Sequence, residues 1–288
     1  MTQLTEARTA GSFGIMVELV ASGGVLILSG AGLSTESGIP DYRGPTGLAR
    51  RSSPMTYQAF TGSAAARRRY WARSYLGWRH IARAVPNHGH RAVAELGGRG
   101  LLTGIITQNV DGLHQAAGAS EVTELHGSLH RVLCLQCGQR TSRTELDRRL
   151  AAANPGWDAQ AAAVINPDGD AVLAAEATES FQVVGCSACQ GVLKPDVVFF
   201  GENVPGPRAQ ACYALVERAS ALVVLGSSLT VMSGFRYVRH AAKLERPVVI
   251  VNQGATRGDP YATATLDAPL GPTLSALLDQ LGPNAGFP

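Results

Sequence analysis

Apolar residues along the chain fall into short unbroken runs separated by glycine-rich or polar stretches. The runs at 25–28, 104–107, 197–200, 222–225 and 248–251 are mostly β-branched or aromatic and do not alternate with polar positions. Such runs predict parallel strands buried on both faces. Between several of them the period changes. Trp71, Tyr75, Trp78, Ala82 and Val85 recur at spacings of three and four, as do Leu274, Leu277, Leu278 and Leu281 ahead of Gly282. These spacings line one face of a helix, and Gly282 is placed to cap the second one. Strands alternating with helices predict an α/β fold on a Rossmann-like doubly wound parallel sheet.

Two stretches interrupt the alternation. Residues 45–94 are rich in arginine and aromatics with helical spacing, and residues 131–194 show weak periodicity but hold two cysteine pairs. The expected division is a Rossmann-like domain from 1–44, 95–130 and 195–288. A helical insertion (45–94) and a zinc-binding insertion (131–194) then form a smaller domain.

Composition narrows the function classes. With 45% hydrophobic and 16% charged residues in 288, the chain reads as globular, neither fibrous nor disordered. A net charge of +3 gives no case for a nucleic-acid partner. The arginine cluster at 67–69 needs a local explanation, since the only lysines are Lys194 and Lys243. No apolar stretch reaches the roughly 20 residues of a membrane span. The N-terminus lacks the charged-then-apolar layout of a signal, so a cytoplasmic protein is expected.

The run at 25–28 opens into Gly30-Ala31-Gly32-Leu33-Ser34. Strand, glycine turn and helix start is a layout that holds phosphate, because backbone N–H groups approach the anion where no Cβ intervenes. Alone, the turn also serves as a plain connection, since it departs from Gly-x-Gly-x-x-Gly. Downstream, Asp41-Tyr42-Arg43 sets a ring and a guanidinium near it, suited to a sugar and a phosphate or to a solvated turn after Pro40. Gln108, Asn109 and Asp111 follow the run at 104–107, where ligands of open α/β sheets gather, although Asn and Asp also cap helices. His126, before Gly127-Ser128, is either structural or a general base working near neutral pH.

Cys134-x-x-Cys137 and Cys186-x-x-Cys189 supply four thiolates for tetrahedral Zn²⁺. A full Cys₄ shell leaves no position for substrate, so the zinc is expected to be structural. The Asp-rich stretch 166–170 lacks the bidentate acid of a calcium loop and reads as a turn. Cys212, without a partner in sequence, reads as a buried apolar side chain.

In this order the glycine turn, Gln-Asn-Val-Asp, His-Gly-Ser and the cysteine pairs resemble the sirtuins, NAD⁺-dependent protein lysine deacylases, over about residues 25 to 280. Residues 34–43, Arg-Tyr-Trp-Ala-Arg at 69–73, Arg-Val-Leu-Cys at 131–134 and Leu-Lys-Pro-Asp-Val-Val-Phe-Phe-Gly at 193–201 look most like the class II branch, which includes the mitochondrial lipoamidase-type sirtuin of animals. The resemblance implies that Gly30, Ala31, Gly32 and Ser34 hold the NAD⁺ pyrophosphate. Asp41, Tyr42 and Arg43 would belong to the same cofactor site, the last two around the nicotinamide ribose. Asn109 and Asp111 would line the nicotinamide pocket, Gln108 would contact ribose, and His126 would be the catalytic histidine. Gly226, Ser227 and Ser228 match a second dinucleotide-binding turn, and Asn252 a contact to the adenine ribose. Val198, Phe199, Phe200, Gly201 and Glu202 match the segment that adds to the substrate strand and walls the acyl-lysine tunnel. Most sirtuins carry phenylalanine where this chain has Tyr42.

The implied reaction joins the acyl oxygen of an acyl-lysine protein or peptide to the nicotinamide ribose. Nicotinamide leaves, His126 takes a proton from the ribose hydroxyls, and the acyl group ends on ADP-ribose. NAD⁺ is consumed, and zinc is a structural cofactor. The acyl group is left open among acetyl, acidic, branched and lipoyl types. Tyr70 and Arg73, three apart, suit a carboxylate-bearing chain, or else belong to a solvated arginine face packed by Trp71 and Tyr75. Protein ADP-ribosyl transfer at the same NAD site and a non-catalytic NAD or acyl-lysine sensor are the alternatives. A hydride-transferring dehydrogenase is disfavoured by the missing fingerprint.

Overall fold

In the computed structural model, which describes residues 2–41, 54–157, 171, 173 and 176–283, most of the apolar runs become strands and the polar stretches between them hold helices. Helix α1 (Thr2–Ala21) leads into β1 (Val25–Ser29), and α2 (Tyr57–Gly62), α3 (Ala64–Ile81) and α4 (His88–Gly98) precede β2 (Leu102–Thr107). Next come α5 (Leu113–Ala116), β3 (Val122–Glu124), β4 (Gly127–Cys134), β5 (Arg140–Ser142) and α6 (Arg143–Ala153). The order closes with β6 (Leu193–Val197), α7 (Gly206–Arg218), β7 (Ala221–Leu225), α8 (Met232–Lys243), β8 (Val248–Val251), β9 (Ala264–Leu266) and α9 (Leu270–Leu281).

Six strands form one parallel sheet in the order β3-β2-β1-β7-β8-β9. Every residue of β1, β7 and β8 is buried. Helices cover both faces, with Met16, Val93 and Leu274 of α1, α4 and α9 in one core and Val216 and Val238 of α7 and α8 in the other. Cys212 lies in the second core. The order reverses between β1 and β7, so the carboxyl ends of these strands open a crevice, the ligand position of doubly wound sheets.

One run does not join that sheet. Residues 197–200 were expected as a parallel strand, but only Val197 is in a strand, β6, which pairs antiparallel with β4 in a separate sheet of order β5-β4-β6. The run is apolar because aromatic rings enclose it: Phe199 meets Phe60 and Tyr70, each at a ring-centroid distance of 5.2 Å. Val85 also leaves the predicted stripe and is 68% exposed, because α3 stops at Ile81.

Helices α2, α3 and α6 and the small sheet share a core around Trp71, Tyr75 and Trp78. The arginines of α3 serve this module. Arg67, Arg68 and Arg73 donate to the carbonyls of Phe60, Glu179 and Ala171, and Arg143 of α6 lies over the Trp78 ring at 4.6 Å. The expected cuts at residues 94, 130 and 195 fall inside α4, β4 and β6. Helix α4 packs Val93 and Leu96 under the large sheet, and β4 runs unbroken from Gly127. The Asp-rich turn at 166–170 lies outside the described residues. No helix among the described residues is long and apolar enough to cross a membrane.

Candidate active site

Two glycine turns meet where β1 and β7 end. The Gly32 N–H donates to Gly226 O at 2.9 Å. A Cβ on Gly30 would stand 2.7 Å from Gly226 O, and one on Gly226, where φ is +62°, would stand 2.6 Å from Leu33 N. Only glycine tolerates these approaches. Above the joined turns opens a cleft of about 870 Å³, lined by Gly30, Ala31, Gly32 and Ser34 on one side and Ser227, Ser228 and Asn252 on the other. Asp41 lines it too, while Tyr42 and Arg43 lie outside the described residues.

Asn109 and Asp111 reach the same cleft from the end of β2 and are tied together through Ser34. Asn109 Nδ2 donates to Gly30 O at 3.0 Å and to Ser34 Oγ at 3.1 Å, and Ser34 Oγ donates to Asp111 Oδ2 at 2.7 Å. Burial pushes the Asp111 carboxyl up, against the bonds it receives from Leu113 N–H and Ser34. Behind these groups the rings of His90 and His114 stand 5.2 Å apart. Burial lowers their pKa values to about 3 and about 4, so both are neutral near pH 7. Ser29 Oγ donates to Thr107 Oγ1 at 2.9 Å and lies 2.8 Å from His114 Nε2, so that nitrogen donates to the serine.

His126 sits between β3 and β4. Its Nδ1 is 2.9 Å from the Gln108 carbonyl, which can only accept, so Nδ1 carries the proton and Nε2 is left as an acceptor. Nε2 lies 2.7 Å from Ser233 Oγ. Burial lowers the His126 pKa to about 4, against the Gln108 bond and with the Arg208 charge. The side chain of Gln108 turns the other way and donates to Ser227 Oγ at 2.8 Å.

The opposite wall is the segment after β6. Val198 N–H donates to His126 O at 2.8 Å, Phe199 N–H to Glu202 Oε2 at 2.8 Å, and Tyr57 N–H to Phe200 O at 2.9 Å. Gln58 Nε2 donates to Gly201 O at 3.1 Å. Here the cleft is apolar, lined by Ile39, Met55, Tyr70, Leu129 and Phe199. Tyr70 thus faces the cleft, whereas Arg73 is absent from its lining and donates from Nε to Ala171 O at 2.6 Å.

Ser233 and Met55 line the cleft without having been picked out by sequence. The signal for Ser233 was a Ser-Gly pair at a helix start five residues after Gly226-Ser227-Ser228. Met55 has none, because an apolar cleft residue looks like any core residue.

The four cysteines gather away from the cleft, and none of them lines it. Their ligand atoms lie within 4.8 Å of one another, with Sγ separations of 3.5 Å for Cys134–Cys189 and 3.8 Å for Cys137–Cys186. A tetrahedral zinc with Zn–S near 2.3 Å needs sulfurs roughly 3.8 Å apart. Both knuckles close alike, Gly138 N–H donating to Cys134 O and Gln190 N–H to Cys186 O. This geometry fits a structural zinc.

Residues 30–233 match the Sir2 family. The chain is 61% identical over 271 residues to NAD-dependent protein deacetylase 1 of Streptomyces coelicolor, covering 94% of this chain and 90% of that one. It is 50% identical over 272 residues to NAD-dependent protein deacetylase 1 of Mycobacterium avium, covering 93% and 95%. Among solved structures it is similar to a Sir2–p53 peptide–NAD⁺ complex, with a TM-score of 0.75 and 29% identity over 93% of this chain and 97% of that one.

Proposed function

The chain belongs to the Sir2 family, and from that premise we propose that it removes acyl groups from protein lysines with NAD⁺ as co-substrate and His126 as the base. The observation that carries the assignment of His126 is its placement: an imidazole with its tautomer fixed by the Gln108 carbonyl lines the same cleft as the two glycine turns.

The residues fit the cofactor. With both Asn109 Nδ2 hydrogens engaged, the groups left for a carboxamide are acceptors, Asn109 Oδ1 and the remaining lone pairs of Asp111, which suit the amide N–H groups of the nicotinamide end. Gly30, Ala31, Gly32, Ser34, Ser227 and Ser228 would hold the pyrophosphate. Gln108, Asp41, Tyr42 and Arg43 would surround the nicotinamide ribose, and Asn252 the adenine ribose. When bound, NAD⁺ supplies an electrophilic ribose carbon and nicotinamide as leaving group, so that, with one water releasing the lysine amine, the acyl group passes to ADP-ribose. His126 takes its proton at Nε2, and being neutral near pH 7 it is ready to do so. Val198 to Glu202 would wall the acyl-lysine, with Phe199, Leu129 and Met55 keeping water from it.

The acyl group proposed is neutral and apolar. The cleft wall there is formed by Ile39, Met55, Leu129 and Phe199, with the Tyr70 ring packed on Phe199, and Arg73 is not part of the lining. Lipoyl and branched chains, in keeping with the class II resemblance, belong to this set. We also assign the small sheet with α2, α3 and α6 to a substrate- and zinc-bearing domain and the parallel sheet to the NAD-binding domain. Thiolate ligands suit a reducing compartment such as the cytoplasm.

The test incubates the protein with NAD⁺ and acetyl-, butyryl-, lipoyl- and succinyl-lysine peptides, following nicotinamide and O-acyl-ADP-ribose by mass spectrometry. Both products should appear with neutral acyl groups. Nicotinamide with ADP-ribose attached to protein would favour ADP-ribosyl transfer, and no nicotinamide with any peptide would refute the assignment.

A further inference from the structure

His126 is held at both nitrogens. The Gln108 carbonyl occupies Nδ1–H, and the hydroxyl of Ser233 lies 2.7 Å from Nε2. Since Nε2 carries no proton in this tautomer, the hydroxyl is the donor of the second bond. Ser233 lies in the first turn of α8 and lines the cleft. That turn is pressed against the site, for a Cβ on Gly234 would stand 2.4 Å from Gln108 Oε1. One turn of helix thus touches His126 through Ser233 and Gln108 through Gly234, the two residues that fix the proposed base.

We propose that Ser233 is a positioning residue for His126, its hydroxyl fixing Nε2 as the acceptor on the cleft side of the ring. An imidazole bonded only at Nδ1 can still swing about its χ2 torsion, and a bond at the opposite nitrogen removes that freedom. The hydroxyl suits the task in a way that a fixed donor or acceptor would not. It donates to the single Nε2 lone pair in the free protein and swings off it for Nε2 to take the ribose proton; once Nε2 carries that proton the hydroxyl oxygen accepts from it, so the ring has a partner before and after the transfer. The part assigned to Ser233 in turnover rests on His126 being the base; the part in the free protein rests on the two hydrogen bonds alone.

The test uses the full chain with ¹⁵N-labelled histidine, with Ser233→Ala and Ser233→Thr compared with the native protein and His126→Gln used to assign the ring signals. In the ligand-free native protein, Nδ1 should give a protonated-type shift and Nε2 a hydrogen-bonded acceptor shift. Ser233→Ala should move Nε2 toward the unbonded position, and Ser233→Thr should restore it. In deacylation, Ser233→Ala should lower kcat by about 10- to 100-fold, short of the full effect of losing a general base, with KM for NAD⁺ within about twofold, and threonine should recover most of the rate. Unchanged Nε2 shifts and unchanged kcat in Ser233→Ala would overturn the proposal. Full activity in His126→Gln would instead remove the assignment of the base while leaving the ligand-free spectra to decide the bond.

Discussion

Lys194 Nζ lies 3.1 Å from Glu202 Oε2, and the same carboxylate oxygen accepts the Phe199 N–H at 2.8 Å. The lysine side chain is 3% exposed, also donates to Val197 O and sits 4.8 Å from the Phe199 ring centroid. Burial lowers its pKa and the Glu202 charge opposes that shift. One ion pair therefore fastens the segment 197–202, which lines the cleft and which we propose to wall the acyl-lysine.

Lys194→Met should expose what that pair holds. Removing one partner of a buried pair leaves the other uncompensated, at a cost of about 3 kcal/mol, the low end for buried pairs because Glu202 is partly exposed. The looser segment should raise KM for the acyl-lysine peptide while KM for NAD⁺ stays put. Urea unfolding and steady-state kinetics with each substrate varied in turn would measure both, and an unchanged peptide KM would detach the pair from substrate binding.

His126→Ala should reduce acyl transfer by about 10²- to 10⁴-fold, the usual contribution of a positioned base. NAD⁺ binding by calorimetry should persist, since the glycine turns and the Asn109–Ser34–Asp111 link stand apart from the ring. Residual turnover at the native rate would show that another group takes the proton.

Cys137→Ser should release the zinc. Loss of a structural metal is loss of folding energy, and the knuckles join β4 to the chain entering β6. A loss of about 2 kcal/mol would lower Tm by roughly 4–8 °C in a chain of this size. Zinc content by plasma emission and a melting curve check it together. Full zinc content in the variant would deny Cys137 a ligand's place.

The strands of the large sheet were legible because burial on both faces writes itself as unbroken apolar runs. The zinc ligands were legible because thiols at Cys-x-x-Cys spacing have few other uses. The run at 197–200 misled for a related reason, since enclosure by Phe60 and Tyr70 leaves the same apolar signature as enclosure by a sheet. Ser233 was marked only by a Ser-Gly pair at a helix start, and its meaning lies in a contact with a residue 107 positions away. Arg73 carried a spacing that fits a carboxylate reader, but the cleft lining leaves it out and its Nε donates to Ala171 O.

The histidines in and behind the cleft predict how stability depends on pH. His90, His114 and His126 have folded pKa values of about 3, about 4 and about 4 against 6.5 when unfolded. Between those limits the unfolded chain binds more protons than the folded one, so stability is full above about pH 6.5 and falls as pH drops toward 4. A shift of this size is worth roughly 3 kcal/mol for His114 alone. Asp111, raised by burial, works in the opposite sense, its folded form favoured by protonation. Urea unfolding of the native protein at several pH values from 7.5 to 5 should show a falling free energy. His114→Gln should be less stable at pH 7.5, because glutamine cannot reproduce the bond to Ser29, yet lose less on going to pH 5. Its slope should be shallower by as much as about 1.4 kcal/mol per pH unit, the value for one proton. A slope equal to the native one would mean that the protons taken up on unfolding go elsewhere than His114.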